Sequence, residues 1–250
     1  MEFDLLFFAV AIPAVMIAGI AKGGFGGAAT FAATPILALV LEPALALGLM
    51  LPLLMMMDVA ALKAYWRRWH APSARVLILG AVPGILLGAA FYRATDPDML
   101  RFLIGAVAVA FVAFQTVRWL GWLQLRRAEF SPVKGILAGV ASGFASFVSH
   151  AGGPPVLMFL LPQGLHKTMF QATTVVMFFA VNLIKVVPYA FLGFFTAETL
   201  MANVLLAPVA LGGVWVGVRA HALVPETLFF ALTHVLLLVV GARLIWVSLG

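Results

Sequence analysis

The sequence predicts an all-α polytopic membrane protein: two inverted repeats of about five membrane segments each, roughly eight to ten in all, with broken or re-entrant helices at glycine-rich motifs. Three observations carry this. Hydrophobic residues make up 64% of the 250 positions and charged residues only 10%, so the chain cannot clothe a water-soluble core of this size in polar groups. Apolar runs of about 20 residues, enough to cross a bilayer, recur along the whole length. A sparse set of identities recurs in order between the two halves.

The apolar runs cover 5–21, 28–42, 44–66, 75–92, 99–120, 133–150, 154–163, 168–195, 199–218 and 226–247. They are long and continuous, unlike the short alternating strands of a membrane barrel. Glu42-Pro43, "HAPSA" at 70–74, "ATDPD" at 94–98, "EFSP" at 129–132 and "VPE" at 224–226 are turn chemistry between them. The stretch 28–42 is short for a crossing, and 154–163 covers only about half the hydrocarbon thickness at about 1.5 Å per residue. Both are expected to be broken or re-entrant. The acidic start "MEFDLLFFAV" lacks the basic region of a cleaved signal, so the first run is read as a retained helix.

The internal repeat sets the domain division. Gly19, Gly23 and Pro35 recur as Gly139, Gly143 and Pro155; Asp58 and Tyr65 recur as Asn182 and Tyr189; Pro83 and Gly88 match Pro208 and Gly213; Trp119 matches Trp246. Residues 1–125 are one membrane repeat, 126–132 a cytoplasmic linker and 133–250 the second repeat. Two loops are strongly basic, one with Lys63, Arg67, Arg68 and Arg75, the other with Arg118, Arg126, Arg127 and Lys134. Basic loops stay in the cytoplasm, which also accounts for the net charge of +6 without nucleic acid. The counterpart of the first basic loop, "GFFTAETL" at 193–200, has Glu198 and no Lys or Arg. That reversal fits an inverted repeat with five segments per half and the N-terminus outside. With four crossings per half, Lys22, Lys167 and Arg219 would lie outside.

Chemistry concentrates at two glycine breaks. In "AKGGFGGAATF", Gly23, Gly24, Gly26 and Gly27 follow Lys22. A helix broken there would free backbone N–H groups toward a cavity, and the next segment would aim its positive end at it. Beside a lysine, that is an anion site. The alternative is a flexible kink with Lys22 snorkelling to the interface. In "SHAGGPPVLMFLLP", Gly152 and Gly153 are expected to break a helix, and Pro154 and Pro155 to open the next. His150 stands before that break, either as a proton carrier or as a satisfied structural donor.

Asp58 lies well inside the third segment, where a carboxylate needs a partner or a role. Lys22 or Lys185 are the expected partners; the functional reading makes Asp58, or His150, the group coupled to a proton or cation. Lys185 shares a helical face with Asn182. Gln171, Thr173 and Thr174 line the cavity or only bond between helices. Met55–Met57 read as packing, and Lys63 as snorkelling. His70, His150, His166, His221 and His234 show no metal-ligand spacing, and there are no cysteines. No metal, cofactor or soluble partner is expected, and a homodimer is compatible with the chain. An enzyme would need an acid/base pair or metal cluster that the sequence lacks.

At "GIAKGGFGGAATFAATPILALV", "DVAALKAYWRRW", "HAGGPPVLMFLLPQGLHK" and "NLIKVVPY" the chain resembles the TauE/SafE family, the sulfite-exporter-like permeases. The resemblance covers nearly the whole length. It implies secondary transport of a small sulfur-containing or organic anion (sulfite, sulfoacetate or another sulfonate) across a bacterial inner membrane. It also implies about eight helices, fewer than the apolar runs counted here. The reading that follows is a permease whose anion site lies near mid-membrane at the repeat interface. That site comprises Lys22, Gly23, Gly24, Gly26, Gly27, His150, Gly152, Gly153, Asn182 and Lys185, with Asp58 or His150 for coupling. A passive anion channel is the alternative.

Overall fold

The structure is a computed structural model that describes residues 3–24, 30–122, 127–220 and 226–249; for Ala64, Ala220 and residues 226–232 it describes the backbone alone. The described chain is helical, with no strand. Its helices are α1 (Leu5–Gly24), α2 (Ala33–Leu37), α3 (Pro43–Ala64), α4 (Ala71–Arg93), α5 (Pro97–Trp119), α6 (Pro132–Ser149), α7 (Gly153–Leu160), α8 (Lys167–Phe191), α9 (Ala197–Ala220) and α10 (Glu226–Leu249). Single 3-10 turns precede α2 (Thr30–Ala32) and follow α7 (Leu161–Gln163).

Among the described residues, α1, α3, α4, α5, α6, α8 and α9 are long and apolar enough to cross a membrane. The two short runs are indeed short helices, α2 with five residues and α7 with eight. The expected turns become helix starts. Pro43, Pro72, Pro97 and Pro132 fall in first turns, where a missing N–H costs nothing. Asp96 caps α5 by accepting from the Met99 amide at 2.8 Å.

Small residues let the helices approach closely. A Cβ on Gly19 would stand 2.7 Å from the Ala210 carbonyl oxygen and 2.9 Å from Gly213 Cα, so α1 and α9 touch backbone to backbone. Gly139 likewise meets Gly80 where α6 crosses α4. Gly19 faces Gly213 and Gly24 faces Gly217, so α1 and α9 run parallel; Gly80 faces Ile136 and Gly88 faces Phe147, so α4 and α6 do too. In contrast, α5 and α10 are antiparallel: Gly105 meets Gly241 while Phe111 stacks on His234.

The pairing has a regularity. α1 packs on α9 as α6 packs on α4, α3 on α9 as α8 on α4, and α1 on α2 as α6 on α7, while α3 meets α8 and α5 meets α10. Exchanging α1–α5 with α6–α10 maps these contacts onto themselves. The register differs in part from that read in the sequence. Gly213, facing Gly19, takes the place that Gly80 takes facing Gly139. The contacts therefore match Gly213 with Gly80 rather than with Gly88.

Two buried apolar clusters fill the interior. One joins α1, α2, α5, α9 and α10; the other joins α4, α6, α7 and α8; α3 contributes to both through Met50 and Leu53 on one side and Leu47 and Leu51 on the other. The outer surface is apolar too: Leu79, Leu86, Trp119, Phe191, Val204 and Trp246 are exposed, as suits helices whose solvent is lipid.

Candidate functional site

Between the two clusters lies a group of buried polar side chains. Lys22, in the last turn of α1, is 6% exposed; Asp58 on α3 and Lys185 on α8 are fully buried. Lys22 Nζ forms an ion pair with Asp58 Oδ1. Asn182 Nδ2 donates to Asp58 Oδ2 at 2.8 Å. A carboxylate only accepts, so this contact fixes the orientation of the Asn182 amide. The Lys22 ammonium also stands 5.8 Å from the centre of the Phe178 ring, within reach of a cation–π attraction.

Of the expected partners for Asp58, the structure selects Lys22. Lys185 turns to α6 instead. Its Nζ donates to the Ser146 carbonyl at 3.0 Å and to Ser146 Oγ at 3.1 Å, and lies 2.7 Å from His150 Nδ1. His150 Nε2 is 3.2 Å from the Leu47 carbonyl oxygen, which can only accept. With a proton on Nε2 for that carbonyl, Nδ1 can accept from Lys185, and a protonated Lys185 then meets three acceptors. Its aliphatic stem ends over Tyr189, 5.6 Å from ring centre to Nζ, and the Tyr189 hydroxyl donates to the Phe147 carbonyl at 2.6 Å.

The break between α6 and α7 differs from the sequence expectation. α6 ends at Ser149, and the left-handed residue is His150 itself, with φ 57° and ψ 12°. Gly152 and Gly153 do not end the helix; they begin α7, with Gly152 as its cap. The left-handed turn swings the imidazole back under α6 toward Lys185. Pro154 and Pro155 do open α7. They also lack N–H groups, so Gly152 and Gly153 supply the free amides of its first turn.

A small cavity of about 30 Å³ opens against this group. Its polar lining is Lys22, Thr30, Ser146, His150 and Asn182; Phe31, Leu54, Gly153 and Phe178 complete it. A Cβ on Gly153 would meet nothing within 4 Å, so that residue faces open space. Gly152 is crowded by Ser142, whose hydroxyl donates to the Gly152 carbonyl at 2.7 Å. Gly23 and Gly24 belong to the last turn of α1 and press on the backbone of α9 at Val214 and Gly217. They make a helix contact there and do not line the cavity. Gly26 and Gly27 lie outside the described residues.

Two lining residues, Thr30 and Ser146, escaped the sequence reading. Ser142, Ser146 and Ser149 recur at helical spacing on one face of α6, a signal that could have found Ser146. Other polar residues go elsewhere. Thr173 accepts from the His70 amide at 2.9 Å and donates to the Met169 carbonyl at 2.6 Å, tying α8 to the start of α4. Thr174 donates to the Phe170 carbonyl at 2.9 Å. Met57 is core, Lys63 is exposed, and His234 stacks on Phe111. No cluster of metal-ligating side chains occurs among the described residues.

The charge inventory decides what the site can hold. Among the described residues the buried charged side chains are Lys22, Lys185 and Asp58. Two lysines and one aspartate share this buried site with an imidazole, beside open volume. With both lysines protonated and Asp58 ionised, the set would carry one positive charge for an entering anion to balance.

No curated protein and no solved structure matches the chain. The model of the family described as sulfite exporter TauE/SafE matches residues 11–244. That span holds every polar residue of the cavity, and the chain belongs to this family of membrane transporters.

Proposed function

We propose that the chain is a secondary transporter of a small organic or sulfur-containing anion of the sulfite, sulfoacetate or sulfonate type, acting in a bacterial inner membrane without covalent chemistry. The observation that carries this reading is the set of buried ionisable side chains, Lys22 and Lys185 against Asp58 alone, beside a cavity that Lys22 lines. The substrate sits in that cavity, drawn by Lys22 in front and Lys185 behind Ser146 and His150.

Coupling follows from competition. Asp58 and an incoming anion both seek Lys22. A proton on Asp58 removes its charge and releases Lys22 to the substrate; loss of the proton restores the ion pair and expels the anion. Asn182 holds Asp58 in either state. A proton on His150 would act similarly on Lys185, because Nδ1 would become a donor facing an ammonium.

The fold supplies a moving frame. Residues 1–125 and 133–250 act as two halves joined by the linker 126–132, and the symmetric helix pairing supports that division. With the basic loops placed in the cytoplasm, α1 runs inward and α6 outward, which makes the repeats inverted. The cavity then lies where the two halves meet, and rocking of one half against the other exposes it to alternate sides.

The first test is thermal stability of the purified protein against sulfite, sulfate, thiosulfate, sulfoacetate, taurine and simple carboxylates. A ligand at about a hundred times its dissociation constant adds about 2.7 kcal/mol. A selective shift that Lys22→Met abolishes supports the reading; an identical shift in that variant removes Lys22 from the site. In proteoliposomes, an imposed proton gradient should drive flux through the wild type and not through Asp58→Asn. Wild-type flux indifferent to the gradient would count for a passive channel instead.

A further inference from the structure

We infer that Thr30 is a substrate-recognition residue, and that its hydroxyl selects oxyanions with several acceptor oxygens over spherical anions of the same charge. The inference rests on the transport reading above and extends it to the substrate class.

Thr30 begins the 3-10 turn that leads into α2, is 7% exposed and lines the cavity. Its Oγ1 is buried and has no hydrogen-bond partner. Two buried threonines of α8 satisfy themselves, Thr173 by donating to the Met169 carbonyl at 2.6 Å and Thr174 to the Phe170 carbonyl at 2.9 Å. A hydroxyl held without a partner in an apolar interior is costly. Valine has the same shape without that cost, so the hydroxyl is explained by a partner that comes and goes.

The surroundings say what that partner is. Lys22 shares the lining and supplies charge but points at one place; Asn182 is engaged with Asp58, and Ser146 with Lys185. Among the described polar side chains of the lining, the Thr30 hydroxyl makes no hydrogen bond at all. An anion with several oxygens can take Lys22 on one and Thr30 on another. A halide is a single centre and bridges two donors only where both reach one point, whereas an oxyanion spans them with separate oxygens. Phe178 and Leu54 add apolar surface to the lining, which suits the non-oxygen face of a sulfite or sulfonate. Thr34 provides an internal comparison. Its hydroxyl is also buried without a partner, one turn further on, but it is not part of the cavity lining.

The test measures binding of sulfite, taurine and bromide to purified wild type, Thr30→Val, Thr30→Ser and Thr34→Val, together with ligand-free melting temperatures. Thr30→Val should weaken sulfite and taurine by about tenfold or more and bromide by less than about threefold. Thr30→Ser should restore oxyanion affinity, and Thr34→Val should leave it unchanged. The ligand-free Thr30→Val protein should be as stable as wild type or more so, because an unsatisfied hydroxyl is lost. Unchanged sulfite affinity in Thr30→Val overturns the inference and leaves transport standing. A fall in ligand-free stability also overturns it, by showing that the hydroxyl holds the fold. Loss of oxyanion affinity in Thr34→Val moves recognition off Thr30. Failure of wild type to bind any of the anions removes the transport reading, and this inference with it.

Discussion

Asn182 on α8 donates to Asp58 on α3 across 2.8 Å, so an amide and a carboxylate meet in the buried interior. Two carboxylates at this distance could not both be ionised. The amide turns a repulsion into a hydrogen bond and leaves Asp58 free to serve Lys22. Asn182→Asp should therefore lower thermal stability at neutral pH, with partial recovery as acidity allows the two groups to share a proton. Asn182→Ala should cost about 1.5–3 kcal/mol, the range for a hydrogen bond to a charged group. Denaturation of the purified variants across pH measures both; a pH-independent Asn182→Asp loss would show that the carboxylates avoid each other.

The Lys22–Asp58 pair is the second target. Removing one partner of a buried ion pair strands the other charge and costs about 3–5 kcal/mol. Lys22→Met should lower the melting temperature strongly. Asp58→Asn should cost less, because Lys22 keeps the Phe178 ring. Lys22→Met combined with Asp58→Asn should recover most of the stability and none of the transport. Fluorescence-detected melting with proteoliposome flux on the same preparations separates the two effects. Recovered transport in the double variant would show that the pair is only structural.

His150 combines two jobs that substitution can split. It holds a left-handed backbone with φ 57° and offers Nδ1 to Lys185. His150→Gly keeps the backbone conformation and loses the acceptor; His150→Ala loses both. The alanine variant should be less stable by about 1 kcal/mol, the cost of left-handed backbone with a Cβ. Equal stabilities would show that the turn relaxes when the imidazole is gone.

Much of the fold was legible, for reasons particular residues make clear. Pro43, Pro97 and Pro132 mark helix starts because a first-turn residue needs no N–H donor. α2 and α7 were short because their apolar runs were. The Lys22–Asp58 contact was among the expected pairings, since an intramembrane carboxylate selects from few cations. Other features left no trace in spacing. Gly23 and Gly24 are the last residues of α1 and pack closely on α9, a use of glycine that composition does not separate from a helix break; the rest of the expected break lies outside the described residues. The left-handed residue is His150, while Gly152 and Gly153, the expected break, begin α7. Lys185 chose Ser146 and His150 over Asp58, a preference set by how α8 crosses α6. Thr30 was invisible because nothing in a sequence says which hydroxyl will lack a partner.

The glycines give the last prediction, because two uses of the same residue should respond oppositely to one methyl group. A Cβ on Gly19 would collide with the Ala210 carbonyl at 2.7 Å and with Gly213 Cα at 2.9 Å. Gly19→Ala must push α1 off α9, and overpacking of this kind costs about 1–3 kcal/mol. At Gly153, φ is helical and a Cβ meets nothing within 4 Å. Gly153→Ala should leave stability unchanged or raise it by up to about 1 kcal/mol through reduced freedom of the unfolded chain. The added methyl enters the cavity, so anion affinity or flux should fall while the fold is kept. Melting and binding on Gly19→Ala, Gly153→Ala and Gly212→Ala decide the matter, the last being a second glycine with open space around it. If Gly153→Ala and Gly212→Ala both bind as wild type, the methyl at 153 does not meet the anion, and the substrate sits nearer Lys22 and α3 than α7.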